Sequence, residues 1–250
     1  MHRRLLFILT IALWGCKGEI KTEWHPREYL GKVCEACPSV RVAVPEALET
    51  TPLGRNVNRA IREEVIELLD YDETRYATGI PEAIEAFGSG FRKVQEQFPD
   101  ELIGWEASIE GLVTYEDAGL LSLKLETYIF TGGAHGLSTT RYLNFGKATG
   151  EELGNDQLFS DWNALERLGE KAFREANQIP REAGINDTGF MFDGNRFHLP
   201  ENMGFTAEGL ELHYNPYEIA SYADGPITLT LPYERVSPLL AAGLRPKQGS

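Results

Sequence analysis

Cysteine is scarce: the 250 residues hold three, of which Cys34 and Cys37 form a Cys-x-x-Cys pair. A thiolate zinc site needs about four ligands, and no second pair supplies them. No G-x-S-x-G elbow occurs, so serine hydrolysis of the α/β-hydrolase kind lacks its defining turn. There is no GxxxxGKS/T loop for phosphates and no HExxH helix for zinc. Internal repeats and low-complexity tracts are missing. Past the N-terminus no run is apolar enough to span a bilayer. Basic residues are few, 24 Lys and Arg against 38 Asp and Glu, a formal charge of −14. Such a surplus argues against nucleic acid and against direct docking on anionic lipid.

What is present begins at the N-terminus. His2, Arg3 and Arg4 give a positive start, and Leu5 to Leu13 is apolar apart from Thr10. The run is too short for a spanning helix and has the shape of a secretory signal over 1–15. Leu13-Trp14-Gly15-Cys16 resembles a bacterial lipobox, with Cys16 as the lipidated first residue of the mature chain. The expected location is the bacterial cell envelope, on the outer membrane or the outer face of the plasma membrane, with the lipid as the sole membrane contact. Processing there removes Arg3 and Arg4, leaving 22 basic against 38 acidic residues, a formal charge of −16. That charge steers cationic partners toward the chain. Outside the cytoplasm Cys34 and Cys37 are expected as a short-loop disulfide. A stretch read as a tether precedes them and Pro38 follows, which argues against a thioredoxin-like role. Residues 16–38 read as a linker.

The body is expected over 39–243. Val40, Val42 and Val44 alternate as a first strand. Thr51-Pro52 opens a helix with Val57, Ile61, Val65 and Leu68 on one stripe. A second helix opens at Pro81 and carries Ile84, Phe87, Phe91 and Val94. Trp105, Ala107, Ile109, Gly111 and Val113 line one face of a long strand, and Tyr115 to Gly119 is hairpin chemistry. Ser160 or Asp161 caps a third helix. Short strands follow at Phe197 to Leu199, Phe205-Thr206, Leu210 to Tyr214 and Ile227 to Leu231. This order is that of an α+β fold: a mostly antiparallel sheet with helices packed on one face, in two intimately packed halves, 39–136 and 137–243. Residues 244–250 are expected to fray.

The organising stretch is Leu120 to Phe145. Leu121, Leu123, Leu125, Thr127 and Ile129 share one face, and Ser122, Lys124, Glu126 and Tyr128 the other, the period of a half-buried strand. Thr131-Gly132-Gly133-Ala134-His135-Gly136 breaks the period, and glycines permit the reversal. A second strand runs from Thr139 to Phe145.

This stretch, from Tyr128 through Gly136 to Asn144-Phe145, is one of two segments that carry a resemblance. The other is Leu210 to Tyr233, with Tyr217-Glu218-Ile219-Ala220 and Tyr222-Ala223-Asp224-Gly225 before Leu231-Pro232-Tyr233. Together they resemble the extracellular domain family shared by the anti-sigma factor RsiV and the non-catalytic N-terminal part of the peptidoglycan deacetylase PdaC. The resemblance spans roughly 40–240. It implies an α+β envelope domain without established enzyme activity, which in RsiV binds lysozyme. Sigma-factor control is not implied, since no transmembrane helix or cytoplasmic part follows, nor is deacetylation, since the catalytic half is missing.

Among single residues, His135 between glycines is read as structural, its imidazole bonding across the turn formed with Gly132, Gly133 and Gly136. His198 and His213 are possible metal partners in principle, without helical ligand spacing. Tyr217, Tyr222 and Asp224 form a candidate binding loop, because two tyrosines present aromatic area at low entropy cost. The plainer alternative has Tyr217 and Ile219 plugging the core, Tyr222 propping the turn and Asp224-Gly225 serving as turn chemistry. No catalytic residue, metal or cofactor is implied. The expected function is a non-catalytic binding module for a peptidoglycan fragment or a cationic protein such as lysozyme. An envelope hydrolase using His135 and a scaffold without ligand are the alternatives.

Overall fold

The computed structural model describes residues 21–34, 37–72, 76–99 and 104–245. The signal segment and Cys16 lie outside the described residues. Five strands form one sheet in the order β1 (Trp24–Leu30), β2 (Ser39–Ala47), β3 (Glu106–Glu116), β4 (Leu120–Phe130) and β5 (Leu137–Gly146). Every neighbouring pair is antiparallel except β2 and β3, which run parallel. A parallel pair needs a long crossover, and α1 (Pro52–Leu69) and α2 (Ile80–Gln97) supply it.

Both helices begin as their sequences predict. The Thr51 side chain caps α1 by accepting from Gly54 N at 3.1 Å, and prolines occupy the first turns of both helices. Their apolar stripes, with Val57, Ile61, Val65, Phe87 and Phe91, cover one sheet face. Val42, Ile109, Leu121, Leu123, Leu125, Leu143 and Phe145 meet them there, all fully buried. Burying one such side chain stabilises by roughly 1.5–3 kcal/mol, which makes this layer the larger source of stability in the first half.

Three further strands, β6 (Asn202–Phe205), β7 (Gly209–Tyr214) and β8 (Ile227–Pro232), form a second antiparallel sheet. One face takes α4 (Trp162–Ala176), preceded by the single turn α3 (Asn155–Leu158) and followed near the C-terminus by α5 (Tyr233–Val236). Asp161 caps α4 at Ala164 N, 2.8 Å. The second core joins Leu165 and Phe173 of α4 to Phe205, Leu210, Leu212 and Tyr214. Its opposite face lies on the far side of the five-stranded sheet. There Ser122 Oγ donates to Asn144 Oδ1 at 2.8 Å, Asn144 Nδ2 donates to Met203 O at 2.8 Å, and Phe205 N donates to Ser122 Oγ at 3.0 Å. The α+β class and the two packed halves therefore stand. Among the described residues no helix is long and apolar enough to cross a membrane.

Four expectations change. Residues 24–30, read as linker, are an edge strand; Arg27 pairs with Glu46 and Pro26 lies opposite Pro45. The strand is mostly exposed on both faces, so no alternation marks it. The sheet boundary falls after Gly146 rather than at 136, because the glycine turn is a hairpin that returns β5 onto β4. Phe197 to Leu199 forms no strand, although Phe197 and Leu199 are buried. Leu244 does not fray but packs in the second core, and Arg245 donates to Leu240 O at 3.0 Å. Cys34 and Cys37 are disulfide-bonded just ahead of β2, with Cα atoms 5.2 Å apart.

Candidate functional site

The far face of the five-stranded sheet is polar, and the second sheet covers only part of it. Cover ends along the row where Tyr142 of β5 meets Gly204 and Glu211. Beyond it, two rows remain open: Glu110, Glu126 and Thr140, then Ser108, Tyr128 and Ser138. His213 and Asn215, at the end of β7, and Pro226 wall this strip into a cleft of about 360 Å³. Asn215 is clamped there. Its Oδ1 accepts from Thr140 N at 2.8 Å and its Nδ2 donates to Thr140 O at 3.0 Å, so a side-chain amide pairs with the open edge of β5.

The electrostatics are acidic. Glu110 and Glu126 are directly opposite across β3 and β4, a like-charge placement that costs stability. Lys124 pairs with Glu126 at 2.7 Å. Glu211 accepts from the Tyr142 hydroxyl at 2.8 Å and lies 3.3 Å from His213 Nδ1. The bond from His213, with that from Tyr142, holds the Glu211 carboxyl below its usual range against the opposing effect of burial. Burial, aided by Glu211, pushes the Tyr142 phenol far up. Burial also raises Glu218, which otherwise gains from accepting the Asn215 N–H.

At one end of the cleft the two resembling segments meet. Gly132 and Gly133 have φ of +106° and +94°, left-handed values that favour glycine. Gly136 must be glycine for another reason: a Cβ there would lie 2.5 Å from the Tyr128 ring. Its carbonyl accepts from the Tyr222 hydroxyl at 2.8 Å and lies 3.0 Å from His135 Nδ1. The His135 ring stacks on Tyr222, centroids 3.7 Å apart, and Tyr222 on Tyr217 at 5.6 Å. The result is a ladder of three rings.

The predicted residues thus divide. His135 Nδ1 lies 3.0 Å from the carbonyl of the adjacent Gly136. Its ring is nonetheless exposed, touches Gly136 and Tyr222, and lines neither the cleft nor the smaller hollow beside Gly132 and Gly133. His198 and His213 do not join it: His198 Nδ1 is 3.1 Å from Leu199 O. Among the described residues no group of three His, Cys, Asp or Glu could hold a metal. Ile219 plugs the core, but Tyr217 does not; it is 59% exposed with φ +72°. The left-handed turn that lets Glu218 N bond Asn215 O turns this ring outward. Asp224 accepts from Ser221 N and Oγ and so closes a turn capped by Gly225. Sequence reasoning missed Glu110, Glu126, Glu211 and Asn215, and weighed His213 only as a metal ligand. The polar alternation of β3 and β4 was the one signal that pointed there.

Residues 35–138 match the family described as "Deacetylase PdaC", and residues 156–234 match the one described as "Protein of unknown function (DUF3298)". The second match contains the segment from Leu210 to Tyr233, and the first contains Tyr128 to Gly136 but ends before Asn144-Phe145. None of the curated proteins matches the chain. Among solved structures, a DUF3298 family protein from Pseudomonas aeruginosa PAO1 is 22% identical and aligns over 94% of this chain and 100% of its own, with a TM-score of 0.62. A member of the same family from Bacteroides fragilis NCTC 9343 is 21% identical over 89% of this chain and 94% of its own, with a TM-score of 0.68. At such identities the likeness shows the fold. Neither family description establishes catalysis in this chain.

Proposed function

We propose, from the premise that this chain belongs to the proteins in which a PdaC-type region precedes a DUF3298 region, that it is a binding module tethered in the bacterial envelope. The carrying observation is that the acidic cleft and the Tyr217–Tyr222–His135 ladder are each built jointly by the two regions, where the segments of the resemblance meet. Rigid tyrosines beside unpaired polar groups form the surface of a recognition site. The ligand is a peptidoglycan fragment or a cationic protein such as lysozyme. Both bring amines or hydroxyls to a wall of carboxylates, and the formal charge of −14 for the full chain favours the encounter. Cys16 carries the lipid, and no catalytic step is assigned.

Calorimetry of the purified chain with lysozyme and with a soluble muropeptide tests the reading. Binding to at least one, weakened by Tyr217→Ser, is expected; for lysozyme it should fall as salt rises from 20 to 300 mM, concentrations at which screening changes strongly. Absence of binding to both at low salt defeats it. Palmitate labelling that survives Cys16→Ser would remove the anchor from the account.

A further inference from the structure

Behind the cleft, Tyr142, Glu211 and His213 form a relay. Both neighbours meet Glu211 at Oε1, and the carboxyl is ionised at neutral pH. A carboxylate only accepts, so the proton of this contact sits on His213 Nδ1. Nε2 is then the open nitrogen. The ring is 6% exposed and lines the cleft, and Nε2 takes no hydrogen bond from any described residue. A buried imidazole in a cleft wall, with one nitrogen spent and the other without a partner among the described residues, is an oriented acceptor awaiting a donor.

The lining repeats this condition. The hydroxyls of Ser108, Ser138 and Tyr128 and the carboxylate of Glu110 have no hydrogen-bond or ion-pair partner among the described residues. Apart from Pro226 there is no aliphatic ring or chain in the lining, which is wrong for a lipid or an apolar peptide. The apolar surface of the lining comes from the Tyr128 ring, Pro226 and short threonine methyls, and further ring area lies in the ladder near the cleft end. Tyr217, exposed and stacked on Tyr222, has a left-handed backbone, a conformation costly for an L-residue and concentrated at functional sites. A directional array of acceptors and hydroxyls beside a flat ring face fits a ligand with an array of hydroxyls and an apolar C–H face. That is a sugar ring.

We propose that this cleft is a saccharide subsite in which His213 Nε2 accepts from a ligand hydroxyl, Glu110 and the three hydroxyls complete the polar contacts, and Tyr217 packs on the C–H face of the ring. Glu211 acts as a positioning residue that fixes the His213 tautomer. The volume of about 360 Å³ is at the small end of ligand sites and takes a mono- or disaccharide unit. The inference rests on the binding-module reading and names the ligand class of the same site.

The test titrates chitotetraose and cellotetraose, both neutral, into the 15N-labelled chain, with lysozyme as a separate arm. At least one saccharide should bind and shift the His213 side-chain nitrogens. His213→Ala should weaken it about ten-fold, the worth of one buried hydrogen bond with its partner left unsatisfied. Glu211→Gln should weaken it less and alter the nitrogen pattern that distinguishes the two His213 tautomers, which a merely structural role would leave alone. Tyr217→Ser, an exposed change, supplies the same readout if His213→Ala does not fold. Failure of both saccharides to bind, or wild-type affinity in the folded His213 variant and in Tyr217→Ser, overturns the subsite. If lysozyme or the muropeptide still binds in that case, the binding-module reading survives without it; if none of them binds, both fall.

Discussion

The imidazole of His135 and the phenol ring of Tyr222 lie face to face, their centroids 3.7 Å and their planes 13° apart. One comes from the hairpin of the first sheet and the other from the loop that precedes β8. Their shared anchor is the Gly136 carbonyl. Tyr222→Phe removes the hydroxyl bond alone and should cost about 0.5–1.5 kcal/mol. Tyr222→Ala also removes the stack and should cost about 0.5–1.5 kcal/mol more. Urea unfolding separates the two, and an alanine variant as stable as wild type would show that the stack contributes nothing.

The Ser122–Asn144 bond ties the sheets together, since each residue also bonds β6 backbone. Asn144→Ala strands the Met203 carbonyl, and Ser122→Ala strands the Phe205 N–H, at about 1–3 kcal/mol each. The double variant should cost less than the sum, because the two residues share one network. Strict additivity in a double-mutant cycle would contradict the linkage.

Tyr217 should be a residue kept at the expense of stability. Its φ of +72° is strained for tyrosine and free for glycine. Tyr217→Gly is expected to raise stability by up to about 1 kcal/mol while reducing ligand binding. A variant that is both less stable and fully competent in binding would contradict this.

Two carboxyls should shape the pH profile in opposite senses. Glu211 titrates lower in the folded chain than in the unfolded one, so its contribution is present above the unfolded pKa and is lost as pH falls through the folded value. Glu211→Gln should therefore flatten the acid limb of stability. Glu218 is raised by burial. Its contribution is full below the unfolded pKa and disappears as pH rises through the folded value. Glu218→Gln should gain on wild type at pH 8 and lose that gain toward pH 4. Chemical denaturation across pH 3–8 follows both, and parallel profiles for wild type and either variant would refute the corresponding assignment.

Gly204 packs β6 directly against Tyr142 of β5. A Cβ there would overlap the Tyr142 ring. Gly204→Ala should destabilise by about 1–3 kcal/mol or more, and adding Tyr142→Leu should recover part of the loss. No recovery in the double variant would mean that the ring is not what the added methyl meets.

The local elements were legible because each depends on residues near in sequence. The two-residue period of β4 separates Leu121, Leu123 and Leu125 from Ser122, Lys124 and Glu126, and the folded strand keeps that division. Thr51 and Asp161 announce helix starts by capping chemistry that acts within three residues. The glycines of 132–136 mark a reversal whatever surrounds it. By contrast, β1 was invisible because an edge strand exposed on both faces needs no apolar alternation.

The site belongs to a longer range. Alternation shows that Glu110, Glu126 and Tyr128 avoid the core, yet a polar strand face is solvated by default. Only the packing of β7, which brings His213 and Asn215 over Thr140 from more than 70 residues away, walls that face into a cleft. The chain order equally leaves Tyr217 free to point in or out, and a left-handed backbone set by the Asn215–Glu218 turn sends it out. Hydrophobic period and turn chemistry are properties of neighbouring residues and can be read along the chain; concavity and an unspent imidazole nitrogen arise between distant segments and exist only once these are folded together.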